Sequence, residues 1–269
     1  MAGVQGEVLM VPGDRIRGFE SVQCGTGYWP LHLHEEGYCI RTIESEEERW
    51  QAYRLRHLVF SEGLQWVSKS PDGLDVDEYD GWATCLGIFN GQCGSHLVAT
   101  LRLLPPDRPF MLEEEFAELL PPGVVLRKEN DTTEITRFAI SQDVGAGESH
   151  TLSRLLYKAW YQWSLLNSVR YVYLEVEARY ARKLRMMGFP ANPIGPSRRL
   201  PPACAESVAL MLDWEEFRAS NSIKRPEFLE WMSKGQSAPA VKPRRRRGPA
   251  SKLAVYSERS RHETAPFVR

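Results

Sequence analysis

Arg170-Tyr-Val-Tyr-Leu-Glu-Val-Glu177, followed by the segment Ala178–Met187 and then Gly188-Phe189, is the stretch that decides the fold. Val172, Leu174 and Val176 recur at every second position, the period of a strand with one buried face. Tyr180–Met187 then reads as a helix, and Gly188 stands where a left-handed residue ends one. After a Pro-rich connection, Ser207–Leu212 reads as a further strand. Upstream, Ser149–Leu166 is a long amphipathic helix and Thr133–Ile140 alternates as a strand. Strand, helix, strand, helix, strand is the pattern of an α/β or α+β layer, a mixed central sheet with helices on both faces.

The earlier chain adds a meander. Gly37–Thr42 alternates weakly as a short strand. Ser45, three residues before Glu48, forms a capping box that opens a helix running to about Phe60, with Trp50, Tyr53 and Leu58 at near-helical spacing. Thr84–Phe89 and His96–Leu104 read as strands joined at Asn90-Gly91, and Met111–Leu120 as a short helix. Residues 1–36, rich in Gly and Pro, read as an irregular N-terminal arm docked through Trp29 and Leu31. The predicted organisation is therefore the arm at 1–36, a folded domain at 37–217, a short helical extension at 218–241 containing Pro226–Lys234, and a disordered basic tail at 242–269.

Charge is unevenly spread. The formal net charge is −1, yet residues 242–269 hold nine Lys and Arg against Glu258 and Glu263, so a tail of +7 follows a body of −8. An acidic body argues against nucleic acid as a partner, and Arg244–Arg247, without interleaved aromatics, reads as a solubilising tail. No run approaches the ~18 apolar residues of a membrane span, and the first residues lack a basic segment followed by an apolar one, so a cytoplasmic protein without membrane contact is expected. Five cysteines, with no C-x-x-C pair, read as reduced thiols. His32-Leu-His34 has ligand spacing on a strand, but lacks a third ligand nearby in sequence. It reads as a pair of loop histidines, and no metal is expected.

Five short pieces carry the chemistry. They are Arg56-x3-Phe60-x5-Trp66, Asp77-x2-Asp80, Thr100-Leu-Arg102-Leu-Leu104, Met111-x4-Phe116 and Glu134-x2-Arg137-Phe138. In this order and at these spacings they resemble the acyl-homoserine lactone synthases, the LuxI-like enzymes of quorum sensing. The resemblance runs from about residue 37 to about residue 217. It implies the acetyltransferase-like (GNAT) fold, whose late strand–helix unit, ending in Gly-Phe, is similar to Tyr171–Phe189. The glycine-rich pyrophosphate loop of that superfamily has only a loose counterpart in Asp143-Val-Gly-Ala-Gly147.

The resemblance implies a two-step reaction with no cofactor. The amine of S-adenosylmethionine, a substrate, attacks an acyl thioester delivered by acyl carrier protein or coenzyme A. The homoserine carboxylate then closes on its own γ-carbon and expels methylthioadenosine. Glu134 and Arg137 are the expected catalytic residues, Glu134 as the base that frees the amine. At i and i+3 on a strand the two point to opposite faces unless a bulge intervenes. Arg56, Asp77, Asp80, Arg102 and Arg137 are charged residues set in apolar segments, and buried charges persist only when paired. They are expected to form, with Glu134, an ion-pair network that holds the amino-acid end of the substrate. Phe60 and Trp66 are expected to cover adenine and sulfonium, with Phe116 and Phe138 continuing that wall.

Met111, Thr136, Val172, Leu174 and Val176 are the expected acyl pocket. Where relatives handling 3-oxo chains often have Thr, this sequence has Leu174, so unsubstituted or branched acyl groups are expected. Arg154, Lys158, Arg182, Lys183 and Arg185, on the two late helices, are expected to dock an acidic carrier protein or the phosphates of coenzyme A. A sister acyltransferase joining a long acyl thioester to an amino acid or other amine is the alternative.

Overall fold

The computed structural model describes residues 27–91, 94–201 and 205–235. One nine-stranded mixed sheet organises them, in the order β1-β2-β3-β4-β5-β6-β9-β7, with β8 also paired to β9. The strands are β1 His32–Glu35, β2 Tyr38–Thr42, β3 Thr84–Asn90, β4 His96–Leu104, β5 Thr132–Ile140, β6 Tyr171–Glu177, β7 Ala191–Pro193, β8 Arg198–Leu200 and β9 Ala205–Asp213. Only β5 and β6 run parallel, joined by the crossover helix α3; every other pair is antiparallel.

The helices are α1 Glu46–Arg56, α2 Met111–Glu114, α3 Ala146–Leu166, α4 Ala178–Met187, α5 Trp214–Lys224 and α6 Pro226–Ser233. The Ser45 capping box forms, with Glu48 N–H donating to Ser45 Oγ at 3.1 Å. Beyond Arg56 the helix widens into a π-helix over His57–Gly63. Its buried side is Ala52, Leu55, Arg56, Val59 and Phe60, whereas Trp50 and Leu58, expected on the apolar face, are exposed. The reason is that this helix covers the sheet with a buried guanidinium as well as hydrocarbon, so hydropathy alone misplaces its inner face.

Alternation along the strands sends side chains to two cores. Leu101, Leu103, Ile135, Val172, Leu174 and Leu210 pack with Trp160, Trp163, Phe189, Trp214 and Phe217 of the α3, α4 and α5 side. Leu104, Tyr173 and Ala209 point the other way, toward Phe110, Met111 and Leu112. Gly188 is left-handed (φ 101°) and ends α4, as expected.

Two expected boundaries shift. Residues 32–35 are a strand, so position 36/37 is the turn of a hairpin rather than the edge of an arm: Glu36 and Gly37 have φ 52° and 83°, the two positive values of a two-residue type I′ turn. Within the expected arm, Leu31 is buried and Trp29 N–H donates to Asn167 Oδ1. Position 217/218 falls inside α5, a helix the sequence reading stopped short of. Asp213 caps it, accepting from Glu215 N–H at 2.7 Å, and Trp214, Phe217 and Asn221 are buried along it. The expected Asn90-Gly91 turn is the start of a longer connection, since Asn90 already pairs with His96. Among the described residues no helix is long and apolar enough to cross a membrane. The expected basic tail lies outside the described residues.

The last helix belongs to the core. Met232 is fully buried, and Gln162 Nε2 donates to the Met232 and Lys234 carbonyls. Met232→Ala should therefore lower unfolding free energy by about 2–5 kcal/mol, measured by urea denaturation. A loss under ~0.5 kcal/mol would mean that α6 does not share the folding unit.

Candidate active site

Three arginines and three aspartates form one charge-balanced cluster where α1, the loop after the π-helix, β4 and β5 meet. Arg56 donates to Asp75 (Nε–Oδ2 3.0 Å) and, through both Nη atoms, to Asp80 (2.6 and 3.0 Å). Arg102 grips both oxygens of Asp77 (2.5 and 3.0 Å) and reaches Asp80 at 3.0 Å. Arg137 donates to Asp75 (Nε–Oδ2 2.8 Å) and Asp77 (Nη2–Oδ2 3.2 Å). Burial pushes the Asp80 carboxyl up, but Arg56 and Arg102 outweigh it and hold it at about 2; the same contest, with Arg56 and Arg137, leaves Asp75 lowered. Of the six charged residues expected in this network, Arg56, Asp77, Asp80, Arg102 and Arg137 are brought together. Asp75 was missed, although Asp75-Val76-Asp77 in extended chain puts two carboxylates on one side.

A bulge places Arg137 there. Ala139 pairs with Thr100 and Thr136 with Arg102, so Arg137 and Phe138 together oppose Leu101 alone. Arg137 takes a left-handed φ of 53°, a conformation that costs an arginine roughly 1–3 kcal/mol unless its surroundings impose it. Here five backbone and side-chain partners do so: the ladder on either side, Asp75, Asp77 and the Phe60 ring 5.6 Å from its Cζ.

Beyond the bulge the sheet opens. β5 pairs with β6 only from Thr132↔Tyr171 to Ile135↔Leu174, while Glu175–Glu177 continue on β9 alone. Ile135, Thr136, Phe138, Leu174, Val176 and Tyr180 are among the residues lining a cavity of about 70 Å³ in the splay. Tyr157 and Tyr180, also lining it, hydrogen-bond to each other through their hydroxyls. Thr136 Oγ1 accepts from Arg102 Nε at 2.9 Å, so the cavity and the ion cluster share a wall. An open depression of about 380 Å³ at Lys128–Asp131 lies on a surface turn away from these groups.

The residues expected to form an acyl pocket divide between the two faces of the sheet. Thr136, Leu174 and Val176 line the cavity. Val172 is sealed in the core, and Met111 lies on the other face, its Sδ accepting from Arg102 Nη2 at 3.2 Å. Phe60 and Trp66 stack at 6.3 Å between centroids, with planes 29° apart. Phe138 instead stacks on Tyr157 in the cavity, and Phe116 packs against the Phe110–Leu112 core, so neither extends the Phe60–Trp66 wall. Glu175, which sequence reading passed over as part of an apolar strand, also lines the cavity, and burial raises its carboxyl.

Glu134 does not join the ion cluster directly. It is fully buried and accepts from Met111 N–H (2.6 Å) and Leu112 N–H (3.0 Å), fixing the start of α2. Burial pushes its carboxyl up to about 8, against the pull of those two donors and of Arg102. Among the expected docking cations, Arg154, Arg182, Lys183 and Arg185 are exposed. Lys158 is not available: it is buried, paired with Glu35 and set over the Trp231 ring. The hairpin and α6 both close over that turn of α3, which its charge alone could not foretell.

The raised Glu134 carboxyl has a stability consequence. Between the ordinary carboxyl value of 4.5 and about 8 the unfolded chain loses this proton while the folded chain keeps it. Stability should therefore fall as pH rises through that window, by at most ~1.4 kcal/mol per pH unit. The lowered Asp80 acts in the opposite sense and only below about pH 4. Urea midpoints measured from pH 5 to 8 should decline in the wild type and flatten in Glu134→Gln; parallel slopes would contradict the assignment.

The autoinducer synthase family model matches residues 41–219. An acyl-homoserine-lactone synthase of Vibrio anguillarum is 29% identical over 171 residues, 62% of this chain and 87% of the relative. One of Rhizobium radiobacter is 30% identical over 151 residues, 54% of this chain and 69% of the relative. Among solved structures, the CoA-dependent acyl-homoserine lactone synthase BjaI with MTA superposes with a TM-score of 0.60 at 23% identity, over 71% of this chain and 89% of that one; at that identity the likeness speaks for the fold. The fold that the splayed strand pair and its bulge imply is thus the fold of such synthases, and a family match over two thirds of its length makes this chain a member of the autoinducer synthase family.

Proposed function

We propose that this protein is a cytoplasmic acyl-homoserine-lactone synthase in which the Arg–Asp cluster holds S-adenosylmethionine and the β5–β6 splay holds the acyl thioester. The observation that carries the reading is Arg137. Of the three clustered arginine side chains, those of Arg56 and Arg102 are 1% and 0% exposed, while that of Arg137 keeps 13% at the edge of the cavity. Its Nε and Nη2 are held by Asp75 and Asp77, which leaves Nη1 to meet the substrate carboxylate. Asp77, 22% exposed beside it, suits the ammonium, and the stacked Phe60–Trp66 pair suits adenine and sulfonium.

In the first step the amine nitrogen bonds to the thioester carbon and the carbon–sulfur bond breaks. Backbone N–H groups at the splay would face the developing oxyanion. The nitrogen must shed a proton, and Glu134 receives it through one water, its carboxyl poised near the working pH. Each Glu134 oxygen keeps a second lone pair beyond its backbone bond. In the second step a carboxylate oxygen bonds to the γ-carbon as the carbon–sulfonium bond breaks, releasing methylthioadenosine. This needs no base, only a folded substrate. Exposed Arg182, Lys183 and Arg185 on α4 would meet the phosphates of the carrier, whether coenzyme A or carrier protein.

Two assays test this. Purified protein should release methylthioadenosine from S-adenosylmethionine only with an acyl thioester present. A panel that instead yields acylated amino acids without methylthioadenosine would establish the sister acyltransferase. Glu134→Gln should lower turnover by roughly 10²–10⁴, the range for a general base, with the fold intact by circular dichroism. If Glu175→Gln produces that loss and Glu134→Gln does not, the base is Glu175.

The cavity also predicts acyl preference. Leu174 offers no hydrogen bond to a 3-oxo group, and an unpaired buried carbonyl costs on the order of 1–3 kcal/mol. Unsubstituted or branched chains should be favoured over 3-oxo chains by roughly 5- to 150-fold in kcat/KM, and Leu174→Thr should narrow the gap. Competition between matched thioesters, counted by product mass, reads it out. Equal use of the 3-oxo substrate would mean that Thr136, or the Tyr157–Tyr180 hydroxyl pair, supplies the donor.

A further inference from the structure

We propose that the β1–β2 hairpin carries a binding site for a divalent metal ion of the zinc class, with His32, His34 and Cys39 as its three protein ligands and water in the fourth position. The third ligand, Cys39, lies five residues beyond His34 and is brought beside the histidines across the hairpin. His32 and His34, two apart on β1, share a face. The register places Cys39 directly opposite His34, and Arg41 opposite His32. The tight turn at Glu36-Gly37 fixes that register. One donor atom from each of the three residues lies within 4.8 Å of the others.

Distances suit shared ligation. Cys39 Sγ is 3.5 Å from His32 Nε2. Zinc–sulfur and zinc–nitrogen bonds of about 2.3 and 2.1 Å at a tetrahedral angle put those two atoms about 3.6 Å apart. Both histidines are exposed and free to turn about their side-chain bonds, which closes the widest remaining gap. A borderline-soft ion is the match for two imidazoles and a thiolate.

The surroundings fit a ligating sulfur. Arg41 Nη1 donates to Cys39 Sγ at 2.9 Å, which holds the sulfur in place on the hairpin. The arginine charge, which alone would repel a cation, is neutralised by Glu48, whose Oε1 accepts from Arg41 Nη2 at 2.7 Å and from Nε at 3.1 Å. Arg41 Nη2 also donates to the Gly94 carbonyl. Gly94 packs so closely that a Cβ there would stand 2.8 Å from the Cys39 Cβ. The hairpin is the far edge of the sheet, separated from β5 by β3 and β4. The site is therefore distinct from the acyl-transfer centre, and its test needs no turnover.

The experiment uses the full chain, reduced and stripped of metal, titrated with Zn(II) against a chromophoric chelator and separately with Co(II). Cys24, Cys93 and Cys204 lie outside the described residues, so the variants carry the discrimination. The wild type should bind one Zn(II) per chain, and Co(II) should give a thiolate charge-transfer band in the near ultraviolet. His34→Ala, at an exposed position that leaves folding intact, should weaken Zn(II) by more than the roughly 10–100-fold that loss of an outer partner costs. Cys39→Ser should abolish the charge-transfer band, and His34→Ala should leave methylthioadenosine release unchanged. Wild-type protein that takes up no stoichiometric Zn(II), or binding that survives both substitutions, would overturn the proposal.

Discussion

Everything at the active centre depends on the requirement that a buried charge be paired. Arg56 and Arg102 have almost no contact with solvent, and removing either would leave aspartates stranded in a dry interior at a cost of several kcal/mol. Three guanidinium groups facing three carboxylates solve this with no net charge, and the solution ties four separate pieces of chain together. The loop that carries Asp75, Asp77 and Asp80 has little regular structure of its own. It is held by α1 through Arg56, by β4 through Arg102 and by β5 through Arg137.

The bulge in β5 and the parting of β5 from β6 follow from the same arrangement. An unbulged strand would send Glu134 and Arg137 to opposite faces. The extra residue turns Arg137 back to the aspartates, while Glu134 stays inside to seat α2. With its register shifted on β4, β5 stops pairing with β6 after Ile135. The gap becomes a cavity with a hydrocarbon end at Leu174 and Val176 and a polar wall at Thr136 and Arg137. A substrate pair consisting of an acyl chain and a zwitterionic amino acid asks for that division.

Much of this was legible in the sequence, where local rules suffice. Alternation found β5, β6 and β9, the capping box found the start of α1, and Gly188 found the end of α4. Five of the six charged residues of the motif set, all but Glu134, form one cluster. What was not legible depends on contacts distant in sequence. Lys158 looks like any helix-surface lysine until Glu35 and Trp231, one from each end of the domain, close over it. Met111 looks like pocket lining until β4 and β5 set the face it occupies. The helix α5 is not legible in the sequence because its polar residues hide that Trp214, Phe217 and Asn221 share one buried side. Cys39 became a partner of His32 and His34 only through the hairpin register.

The central claim is that one cluster of paired charges both folds the loop and receives the substrate. The most direct test is a crystal structure of the protein with S-adenosylmethionine bound. The account predicts the substrate carboxylate within hydrogen-bonding distance of Arg137, its amine beside Asp77 and turned toward the β5–β6 gap, and the adenine against Phe60 and Trp66. A bound S-adenosylmethionine that leaves Arg137 untouched, or that lies outside the cleft between the Arg–Asp cluster and the gap, would contradict it.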